Sequence, residues 1–368
     1  MPVEFIGIVH GQNASEIHPA EGPPIDKAYV RAIAGAHEAG GFDRVLIAHH
    51  STSPDGYLTA AHVFEHTERL GVLLAHRPGF VAPTLTARSL ATLDTFSGGR
   101  LAVHIITGGD DEEQQRDGDY LDKEARYARS GEYLDIVKRI WTSDQPIDHE
   151  GEHYRFRGAF SAIKPVQKPH LPIYFGGSSE SAIRTAGRYA DVFALWGESL
   201  AGVKETLTRV RAAAAQHGRA DHLRFSLSLR PIIAETEAEA WTKAERILEK
   251  ARALQSKDPR RAARTPANTG SLRLLETAAQ GKVVDKRLWT EIAALGGARG
   301  NSTSLVGAPE QVTEALMDYY ELGVTTFLIR GFTPLEDAVQ YGQQLLPLVR
   351  RAVAERDAAG PVLRAQAS

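Results

Sequence analysis

The chain has 368 residues, with 43 Lys and Arg against 46 Asp and Glu and a formal net charge of -3 when its 14 His are neutral. That balance excludes a strongly basic nucleic-acid binder, and 42% hydrophobic with 24% charged residues excludes disordered and collagen-like chains. With no Cys, disulfides, thiolate metal sites and a cysteine nucleophile are excluded too, so any chemistry rests on His, Arg, hydroxyls, carboxylates or a bound cofactor.

The first ten residues, Met1 to His10, lack the basic start of a signal peptide, and no apolar run reaches about 18 residues. The expectation is a cytoplasmic protein without a membrane or nucleic-acid partner. Short β-branched apolar runs then alternate with segments of helical period. The strands read, in order, as Phe5 to His10, Val45 to His50, Gly71 to Arg77, Leu101 to Thr107, Leu171 to Gly176, Val192 to Gly197, Arg224 to Ile233 and Thr325 to Arg330. Between them, Leu200, Val203, Leu207, Val210 and Ala214 make one helical stripe, and Leu335, Ala338, Val339, Leu345, Leu346 and Val349 another. Helix starts are marked by Pro83 with Thr84, by Ser178 and Ser179 before Glu180, and by Pro309 with Glu310.

Eight strands interleaved with helices, with no Gly-x-Gly-x-x-Gly fingerprint, predict a closed (β/α)8 TIM barrel of one domain over 1–368. Two stretches exceed a minimal barrel. Residues 142–170, rich in Gly and Pro, read as a short insertion; residues 251–304 read as a larger one, a mobile lid or an oligomer contact, or else a solvated surface helix pair. The larger insertion carries the basic run Lys257, Arg260, Arg261 and Arg264.

Barrels of this kind work at the C-terminal ends of their strands. Here those ends hold His10, His49, His50, His76 and Arg77, with His104 inside strand four, Trp196 on strand six, Arg230 on strand seven and Arg330 on strand eight. Several His on consecutive strand ends imply a polar pocket, and guanidinium groups suit sulfonate, phosphate or carboxylate oxygens, although a structural salt bridge is the alternative for each Arg. The run Leu171-Pro-Ile-Tyr-Phe-Gly-Gly-Ser-Ser-Glu180 passes from a strand through two glycines into a helix start. It fits a phosphate cradle for a mononucleotide, and equally a plain turn with Ser caps.

These residues resemble the bacterial luciferase-like flavin monooxygenases, most closely the alkanesulfonate monooxygenase branch. The resemblance rests on Ala82-Pro83-Thr84, Ala87-Arg88, Ala91-Thr92-Leu93-Asp94, Gly98-Gly99-Arg100, Arg126-Tyr127, Pro172 to Ser179, Trp196-Gly197-Glu198, Ala214-Ala215, His217-Gly218-Arg219 and Leu305-Val306-Gly307, and it covers nearly the whole chain. It implies reduced FMN supplied by an NAD(P)H-dependent flavin reductase, and cleavage of the carbon–sulfur bond of an organosulfonate by O2 to give sulfite and an aldehyde. By the same resemblance the FMN phosphate falls to Tyr127, Gly177 and Ser178, and its ring to Ala48, His104 and Thr107. It also implies a homo-oligomer.

The sequence departs from that branch in several places. Ser53 stands where the family has a Cys, Ser228 and Arg230 where it has an Arg and a His, Phe332 where it has a Tyr, and His104 where it has an Asn. On this reading Arg230, Arg330 and Arg299 hold the anion, Trp196 lines the pocket, and His10 or His49 binds polar substrate atoms or shuttles protons. A sulfone or a hydroxyl-rich sugar sulfonate is the alternative organosulfur substrate. The other readings are a metal-dependent barrel hydrolase, which would need converging His and carboxylates, and a catalytically silent flavin or anion binder.

Overall fold

Each of the eight apolar runs forms a strand, and together they close a parallel barrel. The computed structural model describes residues 2–257, 266 and 268–360. Arg260, Arg261 and Arg264 of the basic run lie outside the described residues. The strands are β1 (Glu4–Val9), β2 (Arg44–Ile47), β3 (Gly71–His76), β4 (Leu101–Ile105), β5 (Ile147–Glu150), β6 (Arg155–Ala159), β7 (Ile173–Gly176), β8 (Val192–Trp196), β9 (Arg224–Leu229), β10 (Ile232–Ile233), β11 (Val283–Val284), β12 (Leu288–Trp289), β13 (Ser304–Gly307) and β14 (Thr326–Ile329). The helices are α1 (Lys27–Ala39), α2 (Gly56–Glu65), α3 (Pro83–Ser97), α4 (Asp111–Arg116), α5 (Lys123–Thr142), α6 (Glu180–Tyr189), α7 (Leu200–Ala215), α8 (Glu237–Lys257), α9 (Thr269–Ala279), α10 (Glu291–Gly296), α11 (Pro309–Leu322), α12 (Pro334–Gln340) and α13 (Leu346–Ala358). No helix among the described residues is long and apolar enough to cross a membrane.

The barrel order is β1-β14-β9-β8-β7-β4-β3-β2. Because side chains alternate along a strand, each strand divides into two sets. Phe5, Val45, Ile47, Val72, Leu74, Val103, Ile105, Phe175, Phe193, Phe225, Leu227 and Phe327 join the core shared with the helices. Ile6, Leu73, Ala102, Tyr174, Val192 and Leu328, with Ile8 and Leu46, form a second cluster that plugs the barrel interior. Two residues further along, the inward positions are Ala48, Ala75, His104, Gly176, Ala194 and Ser228. The register sets Ala75 beside His104, Gly176 beside Ala194 and Ser228 beside Trp196. Above the plug these positions are small on β2, β3, β7, β8 and β9, with His104 on β4 and, by the same alternation, His10 after β1 and Arg330 after β14 as the large polar residues.

Three local expectations differ. The run from Arg224 to Ile233 is two strands, because Pro231 has no N–H for the ladder; β10 leaves the barrel and pairs with β13 in a second sheet ordered β10-β13-β12-β11. Leu305 and Val306, quoted only as part of a motif, form β13. Val339 is 40% exposed rather than on the apolar stripe, because a π-helical turn over Tyr341–Leu345 shifts the phase between α12 and α13. The caps agree with their signals: Pro83 and Pro309 open α3 and α11, and the Ser179 side chain accepts from the Ala182 amide at the start of α6.

Residues 142–170 carry the antiparallel hairpin β5–β6. The segment after β10 has a core of its own, with Ile232, Ala240, Ala244, Ile247, Leu248, Trp289, Ile292 and Val306, joined by Ile17 from the loop after β1 and Phe332 from the loop after β14. At the other layer, α1 presses so closely on β1 that a Cβ built on Gly7 would lie 2.1 Å from the His37 ring. Since His37 is buried and bonds the Ile33 carbonyl at 2.7 Å, it has nowhere to retreat. Gly7→Ala should therefore lower stability by about 1–3 kcal/mol, the usual range for overpacking, measured as a shift in the urea midpoint at constant m.

Candidate active site

The turn after β7 is built around Gly177, whose φ of 134° is open to glycine and strained for other residues. A Cβ there would sit 2.8 Å from the Ala182 Cβ and 2.9 Å from the Tyr127 hydroxyl, so the backbone lies directly against both. Tyr127, on α5, hydrogen-bonds Ser179, and burial raises its hydroxyl pKa. Beyond this turn α6 presents the amides of its first turn, which have no intrahelical partner, with the helix dipole behind them. The Ser181 hydroxyl is taken by Glu124, at 2.5 and 2.7 Å from its two oxygens, and that of Ser179 by the Ala182 amide and Tyr127, so Ser178 is the hydroxyl that remains at the turn.

His104 lies on the inward face of β4 next to this turn, with a Cβ on Gly176 reaching within 3.2 Å of its ring. Its Nδ1 is buried without a hydrogen-bond partner, and burial lowers its pKa to about 4, so the ring is neutral at neutral pH. Thr107 follows on the same side and contacts the Ser130 hydroxyl at 3.4 Å. The glycine turn, the unsatisfied His104 nitrogen and the small side chains at Ala48, Ala75, Ala194 and Ser228 thus fit a flat ring joined to a terminal phosphate. Of the residues assigned to flavin by resemblance, Gly177, Ser178 and Tyr127 meet at the turn after β7 and His104 stands beside it on β4, while Ala48 follows β2, two strands further round the barrel.

A second group forms at the β1–β14–β9 corner. Arg230 is fully buried, its Nη2 donating to Glu16 at 2.8 Å and to the Gly331 carbonyl at 3.0 Å, with its guanidinium 3.5 Å over the Phe332 ring. Arg330 is 23% exposed and also donates from Nη2, to Glu16 at 3.0 Å and to the Asn301 carbonyl at 3.3 Å. Burial would raise the Glu16 carboxyl, but the Arg230 and Arg330 charges outweigh it and hold it well below the usual carboxylate range. Burial and then the neighbouring Arg330 bring the His10 pKa down to about 4. His10 and Arg330 thus line one small cavity with Ser15, His37 and Tyr341, and Glu16 bridges Arg330 to the fully buried Arg230. Sequence reasoning missed Glu16; the loop after β1 also holds Glu21 and Asp26, and nothing along the chain marks which acid meets the arginines.

His49 lies at a different corner. Its pKa is lowered by burial and by Arg77, and its Nε2 is buried without a partner. The anchor there is Glu113 on α4, which is 4% exposed and accepts from Arg77 at 2.8 Å, from the Ser51 amide at 2.7 Å and from Gln114 at 2.9 Å. His76 is not in the mouth. Its position on β3 points to the helices, where it bonds Tyr133 at 2.7 Å and Tyr57 at 3.2 Å, and burial lowers its pKa to about 3.

Trp196 stands at the mouth on the β8 side and, like Leu275 of α9, packs against the cluster of Leu274, Ala293 and Ala298. Arg299 is exposed in the connection after α10. Among the described residues no group of three or more His, Asp or Glu is arranged to hold a metal ion, so the hydrolase reading lacks a ligand set.

The model of the luciferase-like monooxygenases matches residues 3–326, and the chain belongs to that family of flavin-dependent monooxygenases. Among solved structures it is similar to a riboflavin lyase carrying modified FMN and riboflavin, with a TM-score of 0.79 at 21% identity over 96% of this chain and 92% of that one. It is also similar to an EDTA monooxygenase from Chelativorans sp. BNC1, with a TM-score of 0.76 at 19% identity over 96% and 94%. An F420-dependent secondary alcohol dehydrogenase shares the fold at a TM-score of 0.68 and 15% identity over 95% and 99%. At these identities the likenesses speak to the fold.

His37, His76 and His104 have folded-state pKa values of about 4, 3 and 4, below the ordinary 6.5. The unfolded chain therefore binds more protons than the folded one as pH falls from about 6.5 toward 4, and stability falls with it. Each contributes a slope of up to ~1.4 kcal/mol per pH unit in that window. Urea denaturation at pH 7 and pH 5 should show the loss, and His104→Asn should reduce the slope by about one proton; an unchanged slope would place a charged imidazole at that position.

Proposed function

We propose that this protein is a two-component monooxygenase that uses FMNH2 from a separate NAD(P)H-dependent flavin reductase, and O2, to cleave the C–S bond of an organosulfonate. The balanced reaction converts an alkanesulfonate, O2 and FMNH2 into an aldehyde, sulfite, FMN and water. Reduced FMN, when bound, supplies the two electrons that let one oxygen atom enter the product while the other leaves as water. Gly177, Ser178 and Tyr127 would hold its phosphate, with α6 amides aimed at the same anion, and Ala48, His104 and Thr107 would border its ring. His104 is suited to accept or donate one hydrogen bond from its buried Nδ1 without carrying charge.

The observation that carries the anionic-substrate reading is Arg330 at the rim, with both of its bonds leaving from one nitrogen of a five-donor fork. Its pKa is lowered to about 10 by burial and by Arg230, so it stays cationic at neutral pH. Arg230 supports it from behind by holding Glu16, and Arg299 is the remaining cation assigned to the substrate. Trp196 supplies an apolar wall. Neutral His10 and the ionised Glu16 beside it suit substrate hydroxyls, which favours a hydroxylated sulfonate such as a sugar sulfonate over a simple alkyl one; a sulfone would make less of Arg330. His49, against Arg77 and Glu113, is the second candidate for proton transfer. The insertion would act as the lid that excludes water.

A homo-oligomer belongs to the same reading. Leu58 on α2, Leu85 and Phe96 on α3, and Phe160, Ile163 and Val166 in the loop after β6 are exposed large apolar residues on neighbouring elements.

Release of sulfite from alkyl, aromatic and sugar sulfonates, assayed with a flavin reductase, tests the reaction; no sulfite from any of them rejects it. Arg330→Met should raise KM by roughly tenfold or more, the worth of a hydrogen bond to a charged group, with a smaller effect on kcat. Anaerobic titration should show tight binding of reduced FMN in preference to a deazaflavin. Ser178→Glu should weaken that binding by at least about tenfold through charge repulsion at the phosphate, and unchanged affinity would dismiss the cradle.

A further inference from the structure

The turn that follows Trp196 is tied to α9 by one side chain. Arg273 donates from Nε to both oxygens of Glu198 at 2.9 Å and from Nη2 to Glu198 at 2.7 Å. The same Nη2 reaches the Gly202 carbonyl at 3.2 Å, Glu205 at 3.1 Å and the Thr206 hydroxyl at 3.2 Å. Glu198 is 3% exposed, and its backbone carbonyl accepts from Tyr319 at 2.8 Å. The turn itself cannot shift, because a Cβ on Gly197 would meet Leu229 at 2.2 Å and Thr303 at 2.7 Å, and Thr303 donates to the Gly197 carbonyl at 2.6 Å. Among the described residues, every polar side-chain bond from α9 to the barrel strands and their helices comes from Arg273.

One turn before Arg273, Gly270 lies against the Trp196 ring, with a built Cβ 2.9 Å from it. Two residues earlier still, the Asn268 Cβ lies 3.1 Å from a Cβ built on Gly109, in the loop that follows β4. The start of α9 thus spans the mouth from β8 to the β4 loop, and among the described residues its charged anchor stands at the β8 end.

We propose that Glu198 and Arg273 are a positioning pair, clamping α9 across the barrel mouth and, through Gly270, holding the Trp196 ring in place. The proposal rests on the reading of this mouth as the reaction chamber. A forked, nearly dry carboxylate–guanidinium pair gives both distance and orientation, which a lysine could not reproduce. Loss of Arg273 leaves Glu198 buried without its cation, and loss of Glu198 leaves Arg273 only the more exposed Glu205 as a charged partner, so in either case the two-point grip on α9 is lost.

The test is made on the protein without cofactor or substrate. In Glu198→Gln, amide exchange over residues 268–279 should quicken by at least about tenfold while the barrel strands keep their protection. Acrylamide quenching of Trp196, isolated as the difference from the matching Trp196→Phe protein, should rise by roughly twofold or more as the ring is uncovered. Arg273→Lys should fall between wild type and Arg273→Met in both readouts. Glu291→Gln, which breaks the exposed Arg252–Glu291 pair of the same insertion, should change neither. Quenching and exchange equal to wild type in Glu198→Gln would overturn the clamp, as would exchange that rises uniformly along the chain, the mark of a purely structural role. If Glu198→Gln does not fold, the Arg273→Lys and Arg273→Met pair decides on the same readouts. Failure of the sulfonate assay leaves these measurements untouched and rejects only the reaction.

Discussion

The site depends on the way side chains alternate along closed parallel strands. Outward positions are filled by Val, Ile, Leu and Phe against the helices, which leaves inward positions to do two things in succession. The lower inward layer, Ile6, Leu73, Ala102, Tyr174, Val192 and Leu328, seals the barrel. The next layer is Ala48, Ala75, Gly176, Ala194 and Ser228, too small to fill the same cross-section. A packed interior tolerates few voids, so a floor of this kind at the functional end of a barrel is room for a ligand. His104 is the large polar residue on its β4 side, and its buried nitrogen has no protein partner for its hydrogen bond.

Around that floor the charged groups are not loose. Each is paired across elements: Glu16 with Arg230 and Arg330, Glu113 with Arg77, Glu198 with Arg273. Such pairs add little net stability when desolvation is counted, but each is strongly destabilising to break. Their common effect is to fix loops at the barrel mouth, where backbone alone would leave them mobile. Arg230 illustrates the division of labour. With no exposed surface and a phenyl ring beneath it, it acts on the cleft through the carboxylate it holds, and Arg330 is the guanidinium that reaches solvent.

The buried histidines show how little residue type alone says about role. His76 and His104 stand one strand apart, both near the C-terminal ends. His76 points outward into a hydroxyl network of Tyr57 and Tyr133, and His104 points inward to the mouth. Strand parity separates them: His76 follows Val72 and Leu74 on the helix-facing set, whereas His104 follows Ala102 on the plug set.

Local signals were enough for the architecture. Apolar runs with β-branched residues, interleaved helical stripes, Pro at helix starts and the Gly-Gly-Ser-Ser turn are all short-range features, and the barrel, its caps and the Gly177 bend follow from them. They also placed His10, His49, Trp196, Arg230 and Arg330 at the right end of the strands, since that end is set by chain direction alone. Tertiary structure decided which of these share a corner and what neutralises them. Glu16 meets Arg230 across 214 residues, and Glu198 meets Arg273 across 75, distances over which no periodicity carries information. The sequence alone determines which face a strand residue takes; only the closed fold determines which charges then meet, because pairing energy depends on separation in space rather than along the chain.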